Sequence, residues 1–190
     1  MQTRSRVIIA VAATLMISAY FLPLWQIILE APQYPEGLGM KIWLHGITGN
    51  VDQINGLNHY IGMKLIKPEE FWEFKVVPYI FAGVILFGFI TAFFNNKKLL
   101  WIWVSLLVLF AIVGFTDFYL WEYDYGHNLD PKAAIKVEGM SYQPPIIGYK
   151  QLLNFLAGSL PDLGALAVGL AGFMAFAVLF YEQRLVRKSS

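Results

Sequence analysis

Long apolar stretches alternate with polar ones along the chain, and the alternation predicts its layout. Residues 7–29, 75–94, 99–121 and 162–181 are each apolar over a length that, at about 1.5 Å of helical rise per residue, crosses or nearly crosses a hydrocarbon layer of about 30 Å. Between them lie a tight polar turn, Asn95-Asn96-Lys97-Lys98, and two long polar regions, residues 30–74 and 122–161. The pattern predicts an all-α integral membrane protein, a single membrane domain over residues 1–190, with four transmembrane helices and two long extracytoplasmic loops folded into a cap. The first stretch also has the look of a signal peptide. Its apolar run is longer than an h-region and no small-x-small pair comes after it, so a retained helix is expected.

Each polar region carries local signals. Pro32, Pro35, Gly37 and Gly39 forbid a regular helix at the start of the first one, and Met40 to Leu44 alternates weakly, as a short strand would. Ile54, Leu57 and Ile61 then recur at helical spacing. The same turns set Asn55, His59 and Met63 in a second stripe, each four residues on. Pro68, with Glu69 and Glu70 after it, starts the helix that leads into the second apolar stretch. Ala167, Ala171 and Ala175 form a small-residue stripe in the last stretch, which lets helices approach closely in lipid. Trp43, Tyr60, Trp72, Tyr142, Ile146 and Ile147 make the two regions too apolar for disorder, so they are expected to pack on each other.

Composition agrees with a membrane protein: 57% of residues are hydrophobic and 14% charged, against about half and a quarter in soluble domains. The net charge of +1 says nothing about nucleic acid, and no Lys/Arg-rich block suggests such a partner, so no nucleic acid is expected. The absence of cysteine removes disulfides, thiolate metal sites, iron–sulfur clusters, attached haem and a lipoprotein anchor. Arg4, Arg6, Lys97, Lys98, Arg184, Arg187 and Lys188 are packed into three short segments on one side of the predicted spans. The positive-inside rule then puts both termini of this multi-pass chain in the cytoplasm and both long loops outside, together with every histidine and with Met40, Met63 and Met140.

That placement sorts the candidate chemistry. No nucleophile elbow, phosphate loop, HExxH or EF-hand pattern is present, so an enzyme is not expected. An imidazole and a thioether one helical turn apart can reach one soft metal ion, and a thiol-free set of His and Met suits copper, as Cu(I), better than zinc. His59 and Met63 are the first candidates, with His127, Met140, Met40 and His45 as further ligands. Glu30 and Asp124 serve as harder ligands or as groups that orient the others, and Asn55 shares the stripe. The plainer alternative makes all of these packing and docking contacts. Asp117, one turn before the outer end of the third span, is either a functional intramembrane acid, as a small transporter would use, or a group close enough to the surface to meet water or a loop lysine.

Four strings also carry a resemblance: LEAPQYPEGLGM at Leu29–Met40, INGLNHYIGM at Ile54–Met63, DYGHNLDP at Asp124–Pro131 and GMSYQPPIIG at Gly139–Gly148. With the order of spans, they resemble a family of small bacterial membrane proteins encoded beside copper chaperones and cytochromes c, in second-clade nitrous oxide reductase gene clusters. The resemblance implies a bacterial inner (cytoplasmic) membrane and an accessory role in an extracytoplasmic copper-dependent respiratory pathway. That role is copper delivery, maturation or the docking of an electron-transfer partner. Its partners would be a copper chaperone, a cytochrome c or a metalloenzyme, besides the lipid bilayer. It carries no ligand set. The alternative in a different class is a structural subunit that anchors a membrane complex and binds no metal.

Overall fold

Pro23 stops the first apolar stretch well before residue 29. In the computed structural model, helix α1 covers Thr3–Met16 and tightens into a 3-10 turn over Ile17–Tyr20. The residue before a proline is pushed toward extended backbone, and the chain leaves the helix there. The next element is a strand, β1 (Trp25–Ala31), in which Trp25, Ile27, Leu29 and Ala31 are buried while Gln26, Ile28 and Glu30 face the other way. The structure describes every residue except Lys136, Glu138 and Ser190, and for residues 185–189 the backbone alone; the side chains of Arg187 and Lys188 therefore lie outside it.

The remaining elements are β2 (Tyr34–Trp43), β3 (Gly46–Gly49), α2 (Val51–Ile61), a 3-10 turn at Pro68–Glu70 that is separate from the next helix and not its start, α3 (Glu73–Phe94), α4 (Lys97–His127), β4 (Gly148–Leu152), β5 (Phe155–Pro161) and α5 (Leu163–Ser189). The strands form one antiparallel sheet in the order β3-β2-β1-β5-β4. Ile27 of β1 lies opposite Met40 on one side and Ser159 on the other, so the central strand joins the two polar regions into one body. Pro35 is tolerated in β2 because β3 pairs only with Met40–Trp43, which leaves the Pro35 end at an edge.

The fold is therefore not the expected all-α, four-span protein. Among the described residues, a five-stranded antiparallel sheet replaces a cap of loops, and three helices are long and apolar enough to cross a membrane: α3, α4 and α5 as far as Arg184. The physical reason lies at Pro23, and in residues 25–29 reading as the end of an apolar run although only alternate side chains enter the core.

α1 still belongs to the helical tier. Ile9, Ala12, Ala13, Met16 and Ala19 are wholly buried against α3 and α5, where Ala171 and Ala175 are also wholly buried. At one end of the bundle the buried Glu182 carboxylate accepts from Ser5 Oγ at 2.6 Å and the Gln2 backbone N–H at 2.7 Å, and pairs with Lys97 Nζ at 3.2 Å. Arg6 Nε donates to the Ala92 carbonyl at 2.9 Å. The start of α1, the α3–α4 turn and the last turns of α5 thus meet at the same end, and the sheet stands at the other.

Candidate functional site

α4 links the two tiers. From Lys97 to Asp117 it rises about 30 Å, the thickness of a hydrocarbon layer. Asp117 is exposed there, between Phe115 and Phe118, whose rings lie 5.8 and 5.4 Å from that of Trp25 in β1. Its depth is that of the bundle–sheet junction. Beyond it, Phe118, Trp121, Glu122 and Tyr125 lie on the face of α4 turned to the sheet. This tier has its own core, from β1, β2, α2 and the segment around Tyr142, and a small cavity of about 50 Å³ lies within it.

The cavity gathers two of the sequence candidates and separates the rest. Met40, 2% exposed on β2, lines it, and so does Met63. Met63 is not on the helical stripe: α2 ends at Ile61, and Gly62 takes a left-handed φ of 80° as its C-terminal cap. A side chain at Gly62 would meet the backbone of Asp130 at 3.0 Å, and its carbonyl accepts from Asp130 N–H at 2.8 Å. The second polar region thus fixes the turn that places Met63. His59 stays outside on α2, exposed, with its ring 6.2 Å from that of Tyr60. His127, exposed at the end of α4, stacks on Tyr123 at 4.0 Å. His45 is exposed in the β2–β3 turn beside Trp43. Met140 is half-buried against the sheet tier's core. Among the described residues no three His, Asp or Glu side chains come together.

The polar candidates have structural partners. Asn55 clamps Ile66, donating to its carbonyl at 2.9 Å and accepting from its N–H at 2.7 Å. Asp124 forms an ion pair with Lys64 at 2.6 Å and accepts from Asn128. Glu30 is exposed with Glu36 on a wide groove of about 700 Å³ at the tip of the sheet farthest from the bundle, among Tyr34, Gln151 and Asn154.

Sequence reasoning missed Glu122 and Tyr142 as site residues, and they complete the cavity wall. Glu122 is 1% exposed, and among the described residues neither its carboxylate oxygens nor the buried Tyr142 hydroxyl has a hydrogen-bond partner. The signal was present: 118, 121, 122 and 125 keep helical spacing, which places one acid in an otherwise aromatic stripe. A charged carboxylate without a partner costs several kcal/mol in such a wall, and burial accordingly pushes the Glu122 carboxyl up to about 8.

No protein-family model, curated protein or solved structure matches the chain.

Proposed function

We propose that the chain is an accessory membrane protein of an extracytoplasmic copper-dependent respiratory pathway of the nitrous oxide reductase type. Its sheet tier takes up or passes on copper for a chaperone, a cytochrome c or the metalloenzyme itself. The observation that carries this reading is the pair of thioethers, Met40 and Met63, on one cavity of a chain without thiols. Thioethers are soft donors that select Cu(I) over harder ions. The bundle supports an accessory role over a small transporter. Its buried polar residues among those described are Ser5, Thr91 and Glu182; Ser5 and Glu182 bond each other at one end, and Thr91 bonds the Phe87 carbonyl. Deleting the gene in its host is expected to lower nitrous oxide consumption several-fold, with partial recovery on added copper. Unchanged consumption at limiting copper would overturn the reading.

The open groove with Glu30 and Glu36 favours the second reading, a metal-free anchoring subunit. In that case the deletion phenotype persists with added copper, and a Met40→Leu/Met63→Leu variant complements it fully.

The same proposal places the chain in a bacterial inner membrane, with both termini in the cytoplasm and the sheet outside. Arg4, Arg6, Lys97, Lys98 and Arg184 at the end of the bundle away from the sheet support that orientation. Because the chain has no cysteine, single cysteines at Asn50 and Lys132 report cleanly. They are expected to react with an impermeant thiol reagent in cells with a permeabilised outer membrane, and one at Asn96 is not. Labelling at Asn96 alone would reverse the topology.

A further inference from the structure

We propose that the cavity is a site for one Cu(I) ion, held by the Met40 and Met63 thioethers and by the Glu122 carboxylate. This rests on the copper reading above and names the site and its ligands.

Three features of the cavity select the ion. Its volume, about 50 Å³, leaves room for a single ion or a very few waters. Its one acid, Glu122 on α4, is 1% exposed, and among the described residues neither of its oxygens has a hydrogen-bond partner. A single negative charge is balanced by a monovalent cation. A divalent ion would leave a net charge among Ile27, Leu29 and Ile54, in surroundings that solvate charge poorly. The thioethers then discriminate among monovalent ions, because sodium and potassium prefer oxygen whereas Cu(I) prefers sulfur.

The ligands arrive from three separate parts of the chain: Met40 from β2, Met63 from the turn after α2, and Glu122 from α4. Such a site forms only once the sheet tier has closed on α4. The Tyr142 hydroxyl and the Trp121 indole N–H, both buried and without a partner among the described residues, line the same cavity. The exposed imidazoles of His59 and His127 lie outside the cavity lining. They are left with no direct role in holding the ion.

The test is anaerobic titration of the purified full chain with Cu(I) against a chromogenic Cu(I) chelator, with X-ray absorption on the loaded protein. Wild type is expected to take up one Cu(I) per chain with sulfur neighbours. Glu122→Gln and Met63→Leu, both close in size to the original residues, are each expected to weaken binding by roughly tenfold to a hundredfold, at least the loss seen for outer partners of a metal. His59→Ala is expected to bind as wild type does. Without metal, Glu122→Gln is expected to melt no lower than wild type, which shows that it folds. Uptake that survives Glu122→Gln and Met63→Leu undiminished would overturn the site, as would loss of uptake in His59→Ala. If wild type takes up no Cu(I), the cavity holds water only and the site is wrong. Copper dependence in the deletion strain would then still stand, whereas loss of both results removes the functional reading as well.

Discussion

Replacing Trp103 with alanine is expected to destabilise the bundle by about 3–5 kcal/mol, the range for truncating a fully buried tryptophan. Trp103 is wholly buried, and its indole N–H donates to the Val84 carbonyl at 2.9 Å. Its ring lies over Gly88 so closely that a Cβ there would sit 2.7 Å from Cζ2, and 3.0 Å from the Ala13 methyl. One side chain thus fills the space where α1, α3 and α4 converge. Between lipid-solvated helices there is little hydrophobic gain on association, so stability comes from packing of this kind and a cavity here is not offset elsewhere. Unfolding of the purified protein in mixed micelles measures the loss. Trp103→Phe, which keeps an aromatic ring but not the donor, is expected to lose much less. A Trp103→Ala variant within about 1 kcal/mol of wild type would show that this junction does not carry the bundle.

The parts of the bundle that are legible in the sequence are those where one helix satisfies its own pattern. The apolar lengths of α3, α4 and α5 come from hydropathy, and of the small-residue stripe Ala171 and Ala175 are wholly buried while Ala167 is half-buried. The sheet is hidden because its central strand owes its state to partners far along the chain. Residues 25–29 read as the end of an apolar helix, yet β1 is held by β5, which pairs Ile27 with Ser159 and Leu29 with Ala157. Trp25 Nε1 also donates to Ser159 Oγ at 2.8 Å. No local window contains both strands. Pro23 is the available warning, since it lies where the helix has to stop.

The site is legible in its residue types more than in its geometry. Met40 and Met63 are candidates for their softness, and they do share a cavity. Pairing Met63 with His59 assumes a helix running through Gly62, and a glycine after the last periodic residue is the usual stop signal. Glu122 escapes any reading in which the third apolar stretch ends at Trp121. α4 instead continues to His127, and its last turns carry the wall of the cavity.

Gly126 tests that wall, and Gly126→Ala is expected to open the sheet tier while leaving the bundle folded. A Cβ at Gly126 would lie 2.5 Å from both the backbone nitrogen and Cα of Gln143, so no side-chain rotation relieves the clash. The segment cannot simply withdraw, because Tyr142 N–H donates to the Gly126 carbonyl at 2.9 Å and Tyr142 is 2% exposed in the core. Overpacking against backbone costs about 1–3 kcal/mol and sometimes more. Here the strain falls where α4 meets the chain that closes the cavity over Glu122. Limited proteolysis should cut between α4 and β4 much faster than in wild type, with helical circular dichroism largely kept. Cu(I) uptake should fall in parallel if the cavity is the site. Gly114→Ala is the control on the same helix: nothing lies within 4 Å of its added Cβ, and alanine is the better helix former by about 1 kcal/mol. It should leave proteolysis unchanged. Equal resistance of the Gly126→Ala and Gly114→Ala variants would mean that the contact between α4 and the Tyr142 segment does not hold the sheet tier shut.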